Sequence, residues 1–207
     1  MEKIYRGVHR FQSEVFPDHR DHFAALGAGQ APRLLLITCA DSRIDPALLT
    51  QTQPGELFVI RNAGNLVAPY GAFASGEAAT IEYGIRALGI QHVAVCGHTH
   101  CGAMAALREP ESAAGLPAVE AWLEYGKPAL EREEAIEGFE APLTRTVAAN
   151  VLAQLDHLRT HPSVAEAEAS GDLTLHGWVY DFEAGRIFVS DDAAHFRRLD
   201  SVMREVA

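Results

Sequence analysis

Only three of the 207 residues are cysteine (Cys39, Cys96 and Cys101), which excludes a disulfide-stapled scaffold. The thiols are left with packing, metal ligation or catalysis as their uses. Basic residues are scarce too: 17 against 28 acidic ones, for a formal net charge of −11. A chain so acidic has no general attraction for nucleic acid or anionic membrane, so the expected partner is a small molecule. No uncharged apolar stretch reaches the ~18 residues that would suggest a bilayer span. The first turns of the chain, with Glu2, Lys3, Arg6, Arg10 and Glu14, offer no apolar core for a secretory signal, and the expected location is the cytoplasm. Internal repeats and low-complexity segments are also missing.

Hydrophobic residues make up 48% of the chain, enough for one domain over residues 1–207 with a sizeable core. Val8, Phe11 and Val15 recur at helical spacing among charges, predicting an amphipathic helix over 2–16 that Pro17 ends, with a second beginning near His22. Together, residues 1–28 form a helical arm. "RLLLIT" (33–38), "ELFVIR" (56–61) and "HVAVC" (92–96) are short, branched apolar runs of the kind found in buried parallel strands. Between the second and third, "SGEAATIEYGIRALG" (75–89) puts Ala78, Ile81, Ile85 and Leu88 on one helix face and closes with Gly89.

A proline- and glycine-bearing loop over 109–117 precedes a short helix with Trp122 and Tyr125. The acidic run 131–140 reads as a solvated face. Val147, Val151, Leu155 and Leu158 stripe a helix over 143–159. "LTLHGWVYDF" (173–182), a turn at 183–185 and "RIFVS" (186–190) read as a strand and its hairpin return. The expected fold class is α/β: a mainly parallel central sheet with an antiparallel edge strand, flanking helices and the N-terminal arm.

In open parallel sheets, sites form beyond the carboxyl ends of the strands. Cys39 lies at the end of the first strand, and His98 and Cys101 follow the third. Two thiolates and one imidazole suit Zn²⁺, and three protein ligands leave a fourth position for water or substrate, as in catalytic zinc sites. Alone, H-x-x-C is a weak signal, and a buried lone cysteine is more often simple packing. The stretch "CADSR" (39–43) strengthens the case: it sets a carboxylate and a guanidinium two and four residues after Cys39, where Asp41 and Arg43 can form a bidentate pair.

"CADSRIDP" (39–46), "PGELFVIRNAGN" (54–65), "IEYGI" (81–85), "CGHTHCGAM" (96–104) and "HGWVYD" (176–181) occur in an order that resembles the beta-class carbonic anhydrases, from about Gly29 to Asp181. The chain is most similar to the plant-type branch and to its bacterial relatives associated with cyanate metabolism, because Gln30 stands nine positions before Cys39. The bicarbonate-regulated branch has tryptophan where this chain has Leu36. The resemblance implies a zinc enzyme that hydrates CO₂ reversibly to bicarbonate and a proton.

It also implies a set of roles. Cys39, His98 and Cys101 are the ligands of one Zn²⁺ per chain. Asp41 accepts a hydrogen bond from the activated water, and Arg43 holds Asp41, which in a closed state can take the fourth zinc position. Gln30, Phe58, Ala63 and Tyr83 line the substrate pocket, and Gly102, at a helix N-terminus, lets substrate approach. The pocket straddles two subunits, so a homodimer is the minimum active unit, with tetramer and octamer left open. Arg61 and Asn62 are expected to be scaffold for the pocket or a dimer contact, with no direct part in catalysis. Cys96 is expected to be a packed thiol, and His100 a solvent-facing side chain or a proton shuttle.

Carbonic anhydrases exemplify a zinc ion that lowers the pKa of its bound water. Two thiolates cancel the formal charge of the ion, so activity is expected to rise on the alkaline side unless Arg43 and buried amides compensate. Two other readings remain at this point. One is hydrolysis of carbonyl sulfide or carbon disulfide at the same site. The other is a non-enzymatic zinc or thiol-redox protein, which the absence of C-x-x-C and the presence of the Asp41/Arg43 pair disfavour.

Overall fold

The computed structural model describes residues 1–72, 75–190 and 194–206. In chain order the elements are α1 (Glu2–Arg10), α2 (Phe16–Leu26), β1 (Leu34–Cys39), α3 (Pro46–Thr50), β2 (Leu57–Asn62), α4 (Gly76–Glu82), β3 (His92–His98), α5 (Gly102–Arg108), α6 (Pro117–Leu123), α7 (Pro128–Arg132), α8 (Pro142–Arg159), α9 (Pro162–Ser170), β4 (Thr174–Asp181), β5 (Arg186–Ser190), β6 (Phe196–Arg198) and α10 (Leu199–Val206).

The strands form one sheet in the order β2-β1-β3-β4-β5-β6. The first four run parallel, and β5 and β6 are antiparallel to their neighbours. The mixed sheet agrees with the α/β expectation, and β6 and α10 extend its antiparallel edge beyond the single hairpin return expected at 186–190. After β1 the chain moves outward to β2, then crosses back to β3 on the other side of β1. The crevice outside the carboxyl ends of β1 and β3 is therefore the topological switch point, where α/β sheets bind ligands.

Alternation within the strands separates two layers. Leu35, Ile37 and Cys39 face the main core with Val93 and Val95, whereas Leu36 faces the opposite side with Ala94 and Cys96. The main core is closed by α8, whose Val147, Val151, Leu155 and Leu158 are all buried. Each contributes roughly 1.5–3 kcal/mol of apolar burial. This helix approaches the sheet closely because β3 and β4 present glycines to it. A Cβ on Gly97 would lie 2.6 Å from Val147 Cγ1, and one on Gly177 would lie 3.0 Å from Val151 Cγ1. Gly97→Ala is therefore expected to destabilise the fold by about 1–3 kcal/mol through overpacking, read as a lower urea midpoint. An unchanged or raised midpoint would contradict that close seat.

Pro17 does not end the first helix. A π-helical turn over Phe11–Val15 joins α1 to α2, and Pro17 occupies the first turn of α2, where its missing N–H matters least. The Phe16 amide reaches back to Phe11 O in a widened turn, so the chain stays helical to Leu26. No residue of α1, the π turn or α2 is buried: Ile4, Tyr5, Val8, Phe11 and Val15 are all exposed. The acidic run 131–140 is less solvated than its composition suggests. Ile136 is buried, and Glu133 pairs with Arg108 and accepts a hydrogen bond from Thr146. Among the described residues, no helix is long and apolar enough to cross a membrane.

Candidate metal centre

Cys39 and His98 are the last residues of β1 and β3, so the strands themselves carry both side chains to the crevice. The third strand runs past Cys96, where its apolar pattern stops, because residues 97 and 98 still pair with Val179 and Tyr180 of β4. Thr99 and His100 then turn the chain, His100 in a left-handed conformation (φ 55°), and Cys101 caps α5. The result is one buried group in which the ligand atoms of Cys39, His98 and Cys101 all lie within 4.8 Å of one another.

The chemistry of this group fits a metal ion. Nδ1 of His98 lies 2.8 Å from Thr99 O. A carbonyl only accepts, so Nδ1 carries the proton and Nε2 presents a lone pair. That Nε2 is buried and has no hydrogen-bond partner, an arrangement that costs free energy unless something fills it. The Cys39 thiol is pulled below its ordinary range, mainly by the hydrogen bond from Cys101, with Gly64 N–H donating to its Sγ over 3.4 Å. Cys101 is pushed up by that same bond and by burial, while the amides of Met104 and Ala103 at the start of α5 pull the other way. A cation in the pocket would displace thiol protons, as zinc does when it binds thiolates.

Beside the group stands Asp41. Its Oδ1 accepts from both the backbone N–H and Nε of Arg43, each at 2.9 Å, and its Oδ2 accepts from Nη2 at 2.7 Å. This fork holds the carboxyl far below the usual carboxylate range. It also leaves Asp41 turned to Arg43, with Oδ2 3.9 Å from His98 Nε2. Arg43 is itself fixed, donating to His100 O at 3.0 Å and stacking 4.5 Å from the centroid of the Phe182 ring. The pair is thus tied into the turn between the ligands and differs from an ordinary surface ion pair.

Arg61, expected as scaffold or a dimer contact, makes two directed contacts within the chain. Its Nε donates to Cys39 O and its Nη2 to Asp41 O, at 3.1 and 2.7 Å. It therefore pins the turn that carries both residues. Asn62 closes the following turn by bonding Leu66 N and O. Phe182 is absent from the sequence-derived site, although an aromatic ring directly after "HGWVYD" on the strand paired with β3 is a signal that could find it. Cys96 lies on the opposite sheet layer, fully buried, its thiol pushed up to about 12 by desolvation. His100 is exposed and contacts Glu183, Nε2 to Oε2 at 2.7 Å.

The expected pocket residues divide. Gly102 starts α5 directly after Cys101, and a Cβ there would meet nothing within 4 Å. Ala63 follows β2 and has its carbonyl held by Trp122 Nε1 at 2.9 Å. Gln30, Phe58 and Tyr83 sit elsewhere. Phe58 pairs with Leu35, whereas Cys39 pairs with Asn62, a separation of four residues or about 13 Å along the strand. Tyr83 accompanies Phe58, with ring centroids 6.2 Å apart, and Gln30 precedes β1. Within one chain, these three residues gather at the amino end of β1 and β2, away from the ligands.

The carbonic anhydrase family model matches residues 34–187. The carbonic anhydrase of Pseudomonas aeruginosa is 47% identical over 196 residues, covering 94% of this chain and 89% of that protein. That of Synechocystis is 44% identical over 200 residues, covering 94% and 73%. Among solved structures, the beta-carbonic anhydrase CcaA superposes with a TM-score of 0.87 at 43% identity, covering 92% of this chain and 95% of that one. A beta-carbonic anhydrase of Sordaria macrospora, described as tetrameric, gives 0.72 at 31% identity, covering 92% and 93%.

Proposed function

This chain belongs to the beta-carbonic anhydrase family and catalyses the reversible hydration of CO₂ to bicarbonate and a proton; from that premise, we propose that Cys39, His98 and Cys101 hold one Zn²⁺ per chain, with Asp41 and Arg43 working beside it in a homodimer. The unpartnered, buried Nε2 of His98 between two paired thiols is the observation that carries the metal reading. A soft Cys₂His set is a common zinc environment, and three ligands leave the fourth position open. When bound, zinc supplies a Lewis acid that makes water nucleophilic near neutral pH.

This chain's own residues do the rest. Asp41 stays anionic because Arg43 grips both of its oxygens, so it can accept a hydrogen bond and orient an attacking oxygen while it donates nothing. Arg61 and Arg43 fix the turn from both sides, which limits the reorganisation needed when charge moves from the attacking oxygen to CO₂. The bare Gly102 leaves a path for a small linear substrate beside Cys101.

The dimer reading rests on three features. β2 is a sheet edge, with Val59 exposed. An antiparallel β2–β2 contact across a two-fold axis would bring the amino end of one copy to the carboxyl end of the other. It would thereby set Gln30, Phe58 and Tyr83 of one copy near Cys39 of its partner. The arm of α1 and α2, amphipathic with its apolar side chains nowhere buried, is suited to clasp that second copy. Gln30 and Leu36 support placement in the plant-type branch, and the cytoplasm remains the proposed location.

Metal analysis of the purified protein alongside sedimentation is expected to give one zinc per chain in a dimer or a multiple of it. A monomer with full activity would contradict the shared pocket, and a metal-free active enzyme would contradict the zinc assignment.

A further inference from the structure

The turn after β2 brings one backbone amide to the Cys39 sulfur: Gly64 N–H donates to Sγ over 3.4 Å. Gly64 can reach it because its backbone is left-handed (φ 79°) and pressed against α5, where a Cβ would lie 2.9 Å from Ala103 Cβ. The orientation of that peptide is set from α8. Asn150, fully buried, donates through Nδ2 to Gly64 O at 3.0 Å. Its Oδ1 accepts from Gln154 Nε2 at 2.9 Å, and Gln154 Oε1 accepts from Val67 N at 2.8 Å. Two buried amides one helical turn apart thus hold both ends of the 64–67 turn, and α8 can sit this close because Gly97 and Gly177 admit it.

We propose that Asn150, supported by Gln154, is a positioning residue for the metal centre: by fixing the Gly64 peptide it keeps one N–H on the Cys39 sulfur and so sets how strongly that thiolate donates to the bound ion. This rests on Cys39 being a metal ligand. A hydrogen bond to a ligand sulfur withdraws electron density from it, and neighbours of this kind orient the ligands and tune the metal. With two thiolates cancelling the charge of the ion, such withdrawal restores part of its Lewis acidity. Burial makes the arrangement specific, since an apolar residue of similar volume at position 150 would leave Gly64 O without this donor and the Gln154 amide with Tyr125 O as its remaining acceptor.

The test is the thiolate-to-metal charge-transfer absorption of the full-length protein loaded with Co²⁺, compared among the parent, Asn150→Leu and Asn150→Ser. Thr146→Val serves as the matched control: it is buried one turn earlier on α8 and bonded to Glu133 and Arg108, without a route to Gly64. A charge-transfer band in the parent establishes thiolate ligation, and its absence there overturns the ligand reading itself. Given the band, the inference expects it to move to longer wavelength in both Asn150 variants and to stay in place in Thr146→Val, even where all three melt earlier. The serine variant, smaller and still polar, keeps the comparison readable if the leucine variant fails to fold. A band that stays in place in an Asn150 variant, or moves equally in Thr146→Val, would reduce Asn150 to ordinary packing.

Discussion

Cys101→Ser is expected to remove the metal and the activity together while leaving the fold. Cys101 is one of two thiols in the three-residue group proposed to hold the ion, and a serine hydroxyl does not ionise to replace it. Loss of a hydrogen-bonding neighbour behind a ligand costs about 10–100-fold in metal affinity; loss of the ligand itself must cost more, so zinc should fall to trace after dialysis. The fold should survive because serine is close to cysteine in size and Cys101 is one small member, at the start of the short α5, of a core built mainly from the sheet and α8. Zinc content, CO₂ hydration by stopped flow and far-ultraviolet circular dichroism on one preparation decide the matter. A folded serine variant that retains stoichiometric zinc would contradict the ligand set. The corresponding Cys96→Ser is expected to keep zinc and lose only stability, because that thiol faces the other layer.

Asp41→Asn is the second large effect, and it differs in kind. The amide keeps the size of the side chain, yet it loses the negative charge and faces Arg43 with a donor where Oδ1 or Oδ2 accepted before. Zinc should remain, and kcat should fall by about 10²–10³-fold, the usual cost of losing one preorganised electrostatic contact. Arg43→Lys should share part of that loss, since a single ammonium cannot reproduce the fork. The sign of the pH dependence follows from the same contacts. The Asp41 carboxyl is depressed below its ordinary 3.8 by Arg43, so its contribution to stability is present above that value and fades only as pH falls further, towards the folded value. Asp41 therefore stays anionic at any pH from about 6 to 9, and a fall in activity across that range does not come from its protonation. If Asp41→Asn left kcat unchanged, the turn pinned by Arg43 and Arg61 would be structural only.

The parallel strands and the buried Cys39, His98 and Cys101 group are legible in the sequence because each is marked locally. "LLLITC" and "HVAVCGH" are apolar runs that end on side chains able to bind a metal, and the sheet's period of two fixes which of Cys39 and Cys96 looks into the main core. Pro17 misleads because proline is read as a helix stop, whereas a π turn before it shifts it into a first-turn position. Gly97 and Gly177 give little away: a glycine inside a strand signals a close approach without naming what approaches. Arg61, Phe182 and Asn150 lie 20 or more positions from the groups they hold, in contacts that exist only once the sheet register and the α8 crossing are set. Phe58 and Tyr83 are instructive in the other direction: the family resemblance assigns them to the pocket, yet a single chain keeps them about 13 Å of strand away, which is itself the argument for a second copy.

The central claim is that these three side chains hold a metal on which CO₂ hydration depends. Its most direct test strips the protein with a chelator and measures hydration by stopped flow before and after zinc is titrated back. Activity should vanish in the stripped protein and return in proportion to bound zinc, reaching its plateau at one ion per chain. Hydration that persists in zinc-free protein, or a protein refilled with zinc that stays inactive at every pH, would contradict it.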